Sequence, residues 1–393
     1  MTRRSAAARL SPKPRLRERA RSAAKPSGET SAAALGLAVL VLTSIGAVAV
    51  FSATAPLSLD QALPPHFLRQ AAAMLIGGLV IVIAARVPLA AWHGMALPLW
   101  ITSLLLLGAT LVRGVSGGGA TRWLLLPGLG FAFQPVEFTK LATVLAVSAL
   151  LGRRDGRAAV VSRERLAVAL ALGLAPAAIA VLQPDLGNAV LLIGLSVLLL
   201  FVAGANLRPL LAMGALGAVF VAVYTAIRPY ALRRVLGFVD PWSRSSAEGF
   251  QLVQSFVAFG RGGLHGVGVG DGRQKLFYLP EAHTDFILSV VAEETGLLGV
   301  LAVLGAFAAV LVAGIRIALA AKQRFALLLA FGMTALLTIP ALLNAAVVMG
   351  CIPTKGLTLP FLSYGRSSLV VSCLAVGILF AVARAGRSPR GAS

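Results

Sequence analysis

Tyr278-Leu-Pro-Glu-Ala-His-Thr-Asp-Phe-Ile287 decides how the chain is read, because a cluster of ionisable side chains ends there and an apolar helical run begins. Asp285 stands at the junction. A lone carboxylate at the centre of a bilayer costs roughly 2.5 to 3.5 kcal/mol on insertion scales, so one placed a turn ahead of an apolar run stays wet and can still face a cavity. Glu293 and Glu294 follow at i+8 and i+9, which on a helical period of about 3.6 residues sets one of them nearly beneath Asp285. Two readings are open. Either Thr284 or Asp285 caps a helix and the glutamates form a polar pair between helices, or the acids serve chemistry.

Outward from this stretch the chain is apolar. Of its 393 residues 58% are hydrophobic and 12% charged, far from the balance of an average soluble domain. Apolar runs long enough to cross a bilayer core fall at about 33–53, 67–87, 94–112, 137–151, 165–183, 187–204, 208–227, 286–313, 325–349 and 367–383. The expectation is an all-α polytopic membrane protein of about ten transmembrane helices, with a large extracytoplasmic loop at 228–285 between spans seven and eight.

The net charge of +21 does not point to nucleic acid, because of where the charges lie. Nine Lys or Arg fall in the first 25 residues. Arg153, Arg154, Arg157, Arg163 and Arg165 separate spans four and five, Arg316, Lys322 and Arg324 separate eight and nine, and Arg384, Arg387 and Arg390 follow span ten. The positive-inside rule makes these segments and both termini cytoplasmic, which requires an even number of spans. Residues 1–31 read as a disordered basic tail that meets anionic headgroups, 32–384 as the membrane domain and 385–393 as a second short basic tail. Span one is too long for a cleaved signal peptide and reads as an anchor. Cys351 and Cys373 suggest neither a metal motif nor a disulfide, and read as packing residues.

Four outward segments carry the polar residues. In 113–136, Arg122 beside Trp123 offers either a fork for phosphate or an interfacial belt. Glu137 and Lys140, at i and i+3, can pair on one helix face. Gln183-Pro-Asp-Leu-Gly-Asn188 is a tight turn in which Asp185 is placed to cap span six. The loop 228–285 holds twelve charged residues, and structureless loops beyond about 15 residues are uncommon and usually functional. Within it, 251–259 suggests a short re-entrant or interfacial helix. The glycine-rich 260–272 suggests a flexible loop whose N–H groups can meet a phosphate, although it matches no Walker or dinucleotide motif. The last segment, 351–368, carries two prolines, Lys355 and a hydroxyl cluster, and is preceded by Asn344, an intramembrane amide that needs a partner.

Taken in order, Arg122-Trp123, Gln134-Pro-x-Glu137-x-x-Lys140, Gln183-Pro-Asp-Leu-Gly187, Asp240-Pro, Gln274-Lys-Leu-Phe-Tyr-Leu-Pro-Glu-Ala-His-Thr-Asp-Phe286, Glu293-Glu-x-Gly296 and Pro353-Thr-Lys-Gly-Leu-Thr-Leu-Pro360 with Ser363-Tyr-Gly resemble the SEDS family (shape, elongation, division and sporulation) of bacterial membrane proteins. The resemblance spans roughly 33–384, and its strings look like the division type, with the sporulation type similar in them. Three positions depart from the family pattern. Arg366 replaces a glycine, Val136 a small residue, and Gly117-Gly-Gly-Ala stands where Asn-Gly-Ala is common.

The resemblance implies a peptidoglycan glycosyltransferase that polymerises lipid II on the outer face of the bacterial cytoplasmic membrane, at the division septum. It also implies a complex with a class B penicillin-binding protein and other division membrane proteins. In this reading Asp285 is the general base, with neutral His283 as the other candidate. Arg122, Lys275 and Lys355 face the leaving diphosphate, with Lys140 nearer the membrane, and Gln134, Glu137 and Asp185 complete the substrate site. A divalent cation, Mg or Mn, can share the phosphate; no other cofactor is implied. A lipid II transporter whose polar residues line a path, and a non-catalytic division scaffold, are the alternatives.

Overall fold

The computed structural model describes residues 28–57, 63–117, 120–126, 131–152 and 161–386. Residues 1–27 of the expected N-terminal tail lie outside the described residues, as do Arg153, Arg154 and Arg157, and 387–393 with Arg387 and Arg390. Helix α1 runs Gly28–Thr54, so the first span starts a few residues before the expected tail ends. Helices α2 (Pro65–Arg86) and α3 (Leu89–Arg113) follow. Then come strands β1 (Val115–Gly117), β2 (Ala120–Leu126) and β3 (Phe131–Phe133), which form a small antiparallel sheet in the order β1-β2-β3. This sheet is an addition to the all-α expectation. The segment is too short and too glycine-rich for another helix, so its backbone groups pair with each other in strands.

The bundle continues with α4 (Pro135–Gly152), α5 (Arg163–Leu182), α6 (Leu186–Val202) and α7 (Leu207–Ile227). The segment 228–285 is not a bare loop. It contains α8 (Pro229–Val239), α9 (Phe250–Gly262) and a π-helical turn, Gln274–Tyr278. Helices α10 (Ile287–Ala320), α11 (Arg324–Val348) and α12 (Arg366–Ala385) close the chain. Among the described residues nine helices are long and apolar enough to cross a membrane, and α6, at 17 residues, is the tenth apolar one.

The core sits around α4, α11 and α12, whose most apolar windows are 78%, 72% and 72% buried, whereas α7 is 6% buried and stands at the rim. With lipid outside, hydrophobicity gives no preference for helix against helix, so close packing decides the contacts. Where α2 meets α12, a Cβ on Gly77 would come within 2.6 Å of the Cys373 sulfur. Cys373 is buried there, consistent with a packing residue.

Helix α10 differs from the single span expected at 286–313. It breaks at Gly296, where φ is 66° and ψ −163°, a conformation that favours glycine. A break frees backbone groups that hydrocarbon cannot satisfy, and the glycine-rich stretch after α9 supplies the partners. The N–H groups of Leu297 and Leu298 donate to the carbonyls of Gly263 and Leu264, and those of Val267 and Gly268 donate to the carbonyls of Glu293 and Glu294. The expectation of a flexible, phosphate-binding loop at 260–272 is corrected accordingly: several of its backbone groups are spent in repairing the broken helix. Helix α9, foreseen at 251–259, docks on α10 and α11, with the Ser255 hydroxyl donating to the Val348 carbonyl at 2.7 Å and meeting the Ser289 hydroxyl at 2.8 Å.

Candidate functional site

Asp285 lies in the turn that precedes α10, and three consecutive carbonyls hold that turn. His283 accepts from the Tyr364 N–H at 2.8 Å, Thr284 from the Ser363 hydroxyl at 2.6 Å, and Asp285 from the Asn344 amide at 2.7 Å. The same Asn344 nitrogen donates to the Leu357 carbonyl at 2.7 Å. Gln70 of α2 donates to the Ser363 carbonyl, which ties the last outward loop to the bundle. Backbone at the site is thereby fixed from α2, α11 and the 351–365 loop at once, the kind of support that holds a reactive side chain in one geometry.

The loop residue Gly356 comes against the carboxylate so closely that a Cβ there would stand 3.1 Å from Asp285 Oδ2. Gly356 also lines a small polar cavity together with Gln134, Glu137, Lys140, Asn188 and Thr358. Lys140 donates to Glu137 at 2.8 Å, and the pair is buried. The polar residues of α4 and the Asp285 turn therefore meet at one cavity.

Burial is the main cause that pushes the Asp285 carboxyl up to about 7, and the negative charge of Glu281 adds to it. Arg234 and then Arg122 pull the other way, and Asp185 raises it further. Arg122 reaches this neighbourhood from β2. It donates to the Pro184 carbonyl at 2.5 Å and lies 3.6 Å from Asp185. Asp185 also caps α6, accepting from the N–H and side-chain amide of Asn188. Lys355 adjoins Gly356 and is half-buried, and its ammonium has no ion-pair or hydrogen-bond partner among the described residues; burial alone holds that ammonium below the usual lysine range. An unpaired ammonium one residue from the cavity-lining Gly356 is an open place for an anion.

Two sequence candidates sit differently. Lys275 is not open to phosphate: its three donors go to Glu294 at 2.7 Å, the Ser52 hydroxyl at 2.7 Å and the Gly270 carbonyl at 2.5 Å. Its neighbours explain the change, since Glu294 is buried and demands a cation. Glu293, fully buried, accepts from Arg261 at 2.8 Å and from the N–H groups of Arg273 and Gln274 at 3.0 Å. The two glutamates thus hold the 273–275 stretch that leads into the Asp285 turn, and they do not pair with each other between helices. The ring of His283 packs edge-on against His66 and tilted against Tyr364, with centroids 5.8 and 5.6 Å away, and burial pushes its pKa below the ordinary value.

Sequence reading did not single out Arg234 or Gly356. Arg234 lies on α8, donating to the Thr354 carbonyl at 3.3 Å. The adjacent Arg233-Arg234 pair inside an otherwise apolar stretch is the one signal that marks it.

The helical membrane bundle thus brings a buried carboxyl, nearby cations and a polar cavity into one neighbourhood. A family described as "Cell cycle protein", covering FtsW, RodA and SpoVE, matches residues 33–388, and the chain belongs to this family. A protein of Trichlorobacter lovleyi named "Probable peptidoglycan glycosyltransferase FtsW" is 41% identical over 350 residues, 87% of this chain and 90% of that one. A protein of Geobacter sp. with the same name is 39% identical over 347 residues, 87% of this chain and 94% of its own. Among solved structures, a chain of a peptidoglycan synthase complex that coordinates polymerization and crosslinking superposes with a TM-score of 0.74 at 30% identity, covering 90% of this chain and 98% of that one. The rod shape determining protein RodA of Thermus thermophilus gives 0.66 at 28% identity, over 90% and 97%.

Proposed function

We propose that the chain is a peptidoglycan glycosyltransferase that polymerises lipid II, with Asp285 as the general base. A sugar hydroxyl of one lipid-linked unit attacks the anomeric carbon of another. Its proton passes to the Asp285 carboxylate, the new glycosidic bond forms, and the old bond to the diphosphate breaks with its electron pair leaving on the polyprenyl diphosphate. A base is most effective when its pKa lies near the working pH, and burial brings Asp285 to about 7. Arg122 and Lys355 face the charge that grows on the leaving diphosphate, and Gln134, Glu137 and Lys140 line the cavity where the sugars bind. Asp185 orients Arg122, and His283 remains neutral, packing the turn.

A divalent cation fits this donor set in one way. Among the described residues no three His, Cys, Asp or Glu side chains converge on a metal position. Mg or Mn would instead be held chiefly by the substrate phosphates, would neutralise phosphate charge there, and would leave the Asp285 carboxylate free to take the proton. The crosslinking partner is a class B penicillin-binding protein, a reading supported by the superposition on a synthase complex. The protein works in the bacterial cytoplasmic membrane at the division septum, with both termini inside.

The observation that carries the proposal is the placing of the Asp285 carboxylate against Gly356, which lines the polar cavity of Gln134, Glu137 and Lys140, with the Arg122 charge acting on the same carboxyl. Its test is the purified chain, with and without its crosslinking partner, given fluorescent lipid II. Glycan ladders on a gel are the expected result. Movement of lipid II across protein-bearing liposomes with no polymer would replace this reading by a transporter, and neither activity would leave a scaffold.

A further inference from the structure

Helix α8 lies at the edge of the outward segment, and its packing runs mainly to α7, itself the least buried span. Two guanidinium groups on this corner lie over tyrosine rings, Arg228 over Tyr224 at 5.9 Å and Arg234 over Tyr230 at 4.6 Å. Arg233 is mostly exposed and pairs loosely with Glu248 at 3.9 Å. Arg234 turns the other way. Its single hydrogen bond among the described residues goes to the carbonyl of Thr354, the residue before Lys355 and Gly356. It has no carboxylate partner there, yet its charge acts on Asp285 ahead of that of Arg122.

We infer that Arg234 is a substrate-binding residue that grips the diphosphate of a lipid-linked sugar, and that α8 is the arm that brings it to the mouth of the cavity. A guanidinium presents five donors in a planar fork that matches phosphate oxygens. One donor is spent here on a carbonyl at 3.3 Å, and the Tyr230 ring, 4.6 Å away, holds the guanidinium by a cation–π contact. With Arg122 entering from β2 and Lys355 from the last loop, Arg234 adds a third cation from a third element, and the only one carried on a sparsely packed helix. The inference rests on the glycosyltransferase reading.

The test uses the full chain in complex with its crosslinking partner. The KM for lipid II and the inhibition constant for added undecaprenyl diphosphate are measured for wild type, Arg234→Gln, Arg234→Lys and Arg233→Gln. Arg234→Gln is expected to raise the inhibition constant and KM by about tenfold, the equivalent of about 1.4 kcal/mol of binding. Arg234→Lys falls between, because it keeps the charge without the fork, and Arg233→Gln matches wild type. A residue that only shapes the fold lowers kcat and leaves the inhibition constant alone. An inhibition constant within about twofold of wild type in Arg234→Gln, a change too small for a lost charged contact, would overturn the inference. If Arg234→Gln does not fold, Arg234→Lys decides: a rise of about threefold or more supports the grip, and no rise overturns it. A wild-type complex that forms no glycan defeats the glycosyltransferase reading itself, whereas active wild type with an indifferent Arg234 defeats this inference alone.

Discussion

Proton supply is where the site is most exposed to test, because Asp285 must be ionised to accept a proton. Burial raises its carboxyl to about 7, Glu281 reinforces the rise, and Arg234 and Arg122 oppose it. The direction follows: polymerisation is lost as pH falls through about 7 and reaches a plateau above it. With a midpoint of about 7, roughly 9% of the molecules hold the carboxylate at about pH 6 and roughly 91% at about pH 8, so kcat/KM should rise about tenfold across that window. A carboxyl with its ordinary value of 3.8 would give a flat profile there. Were His283 the base, the limb would lie below 6.5, since burial lowers that imidazole. Glu281→Gln removes the second cause of the rise, so its midpoint should move down and more activity should survive at about pH 6. The assay is the initial rate of fluorescent lipid II polymerisation by the complex at constant ionic strength. A wild-type profile without an acid limb between about pH 6 and 8 would refute the assignment.

Lys275→Met should destabilise the fold by about 3 to 5 kcal/mol, because it leaves Glu294 charged and buried without its cation. Adding Glu294→Gln should restore part of the loss, read as the thermal midpoint of the detergent-solubilised chain. Asn344→Ala removes one donor shared by the carbonyls of Asp285 and Leu357. It should cost about 1 to 3 kcal/mol for the groups left unsatisfied. Its kcat should fall by about tenfold or more as the base loses its bearing, while a normal kcat would remove Asn344 from the positioning frame.

The spans were legible because ten apolar runs of membrane length, flanked by arginines, leave little freedom, and α1 to α7 and α10 to α12 fall where hydropathy set them. The break at Gly296 was not, since apolar residues continue through it and a glycine in a helical pattern is ambiguous by itself. Its cause lies some thirty residues upstream, in the carbonyls of Gly263 and Leu264. The same distance hid the fate of Lys275. A basic residue in a polar outward segment reads as free, and only folding brings it to Ser52 and Glu294. By contrast, the Glu137–Lys140 pair and the Asp185 cap are local and were readable from spacing. Arg234 escaped notice because its importance comes from Thr354, 120 positions along the chain.

Replacing Asp285 by Asn bears most directly on the central claim, since the amide keeps nearly the same shape and cannot accept the proton. Single-turnover formation of glycan from lipid II, measured in the purified complex, should fall at least about a hundredfold, the lower range of what one general base contributes. Substrate affinity and thermal midpoint should stay close to wild type. Turnover at the wild-type rate in a folded Asp285→Asn complex would contradict the account.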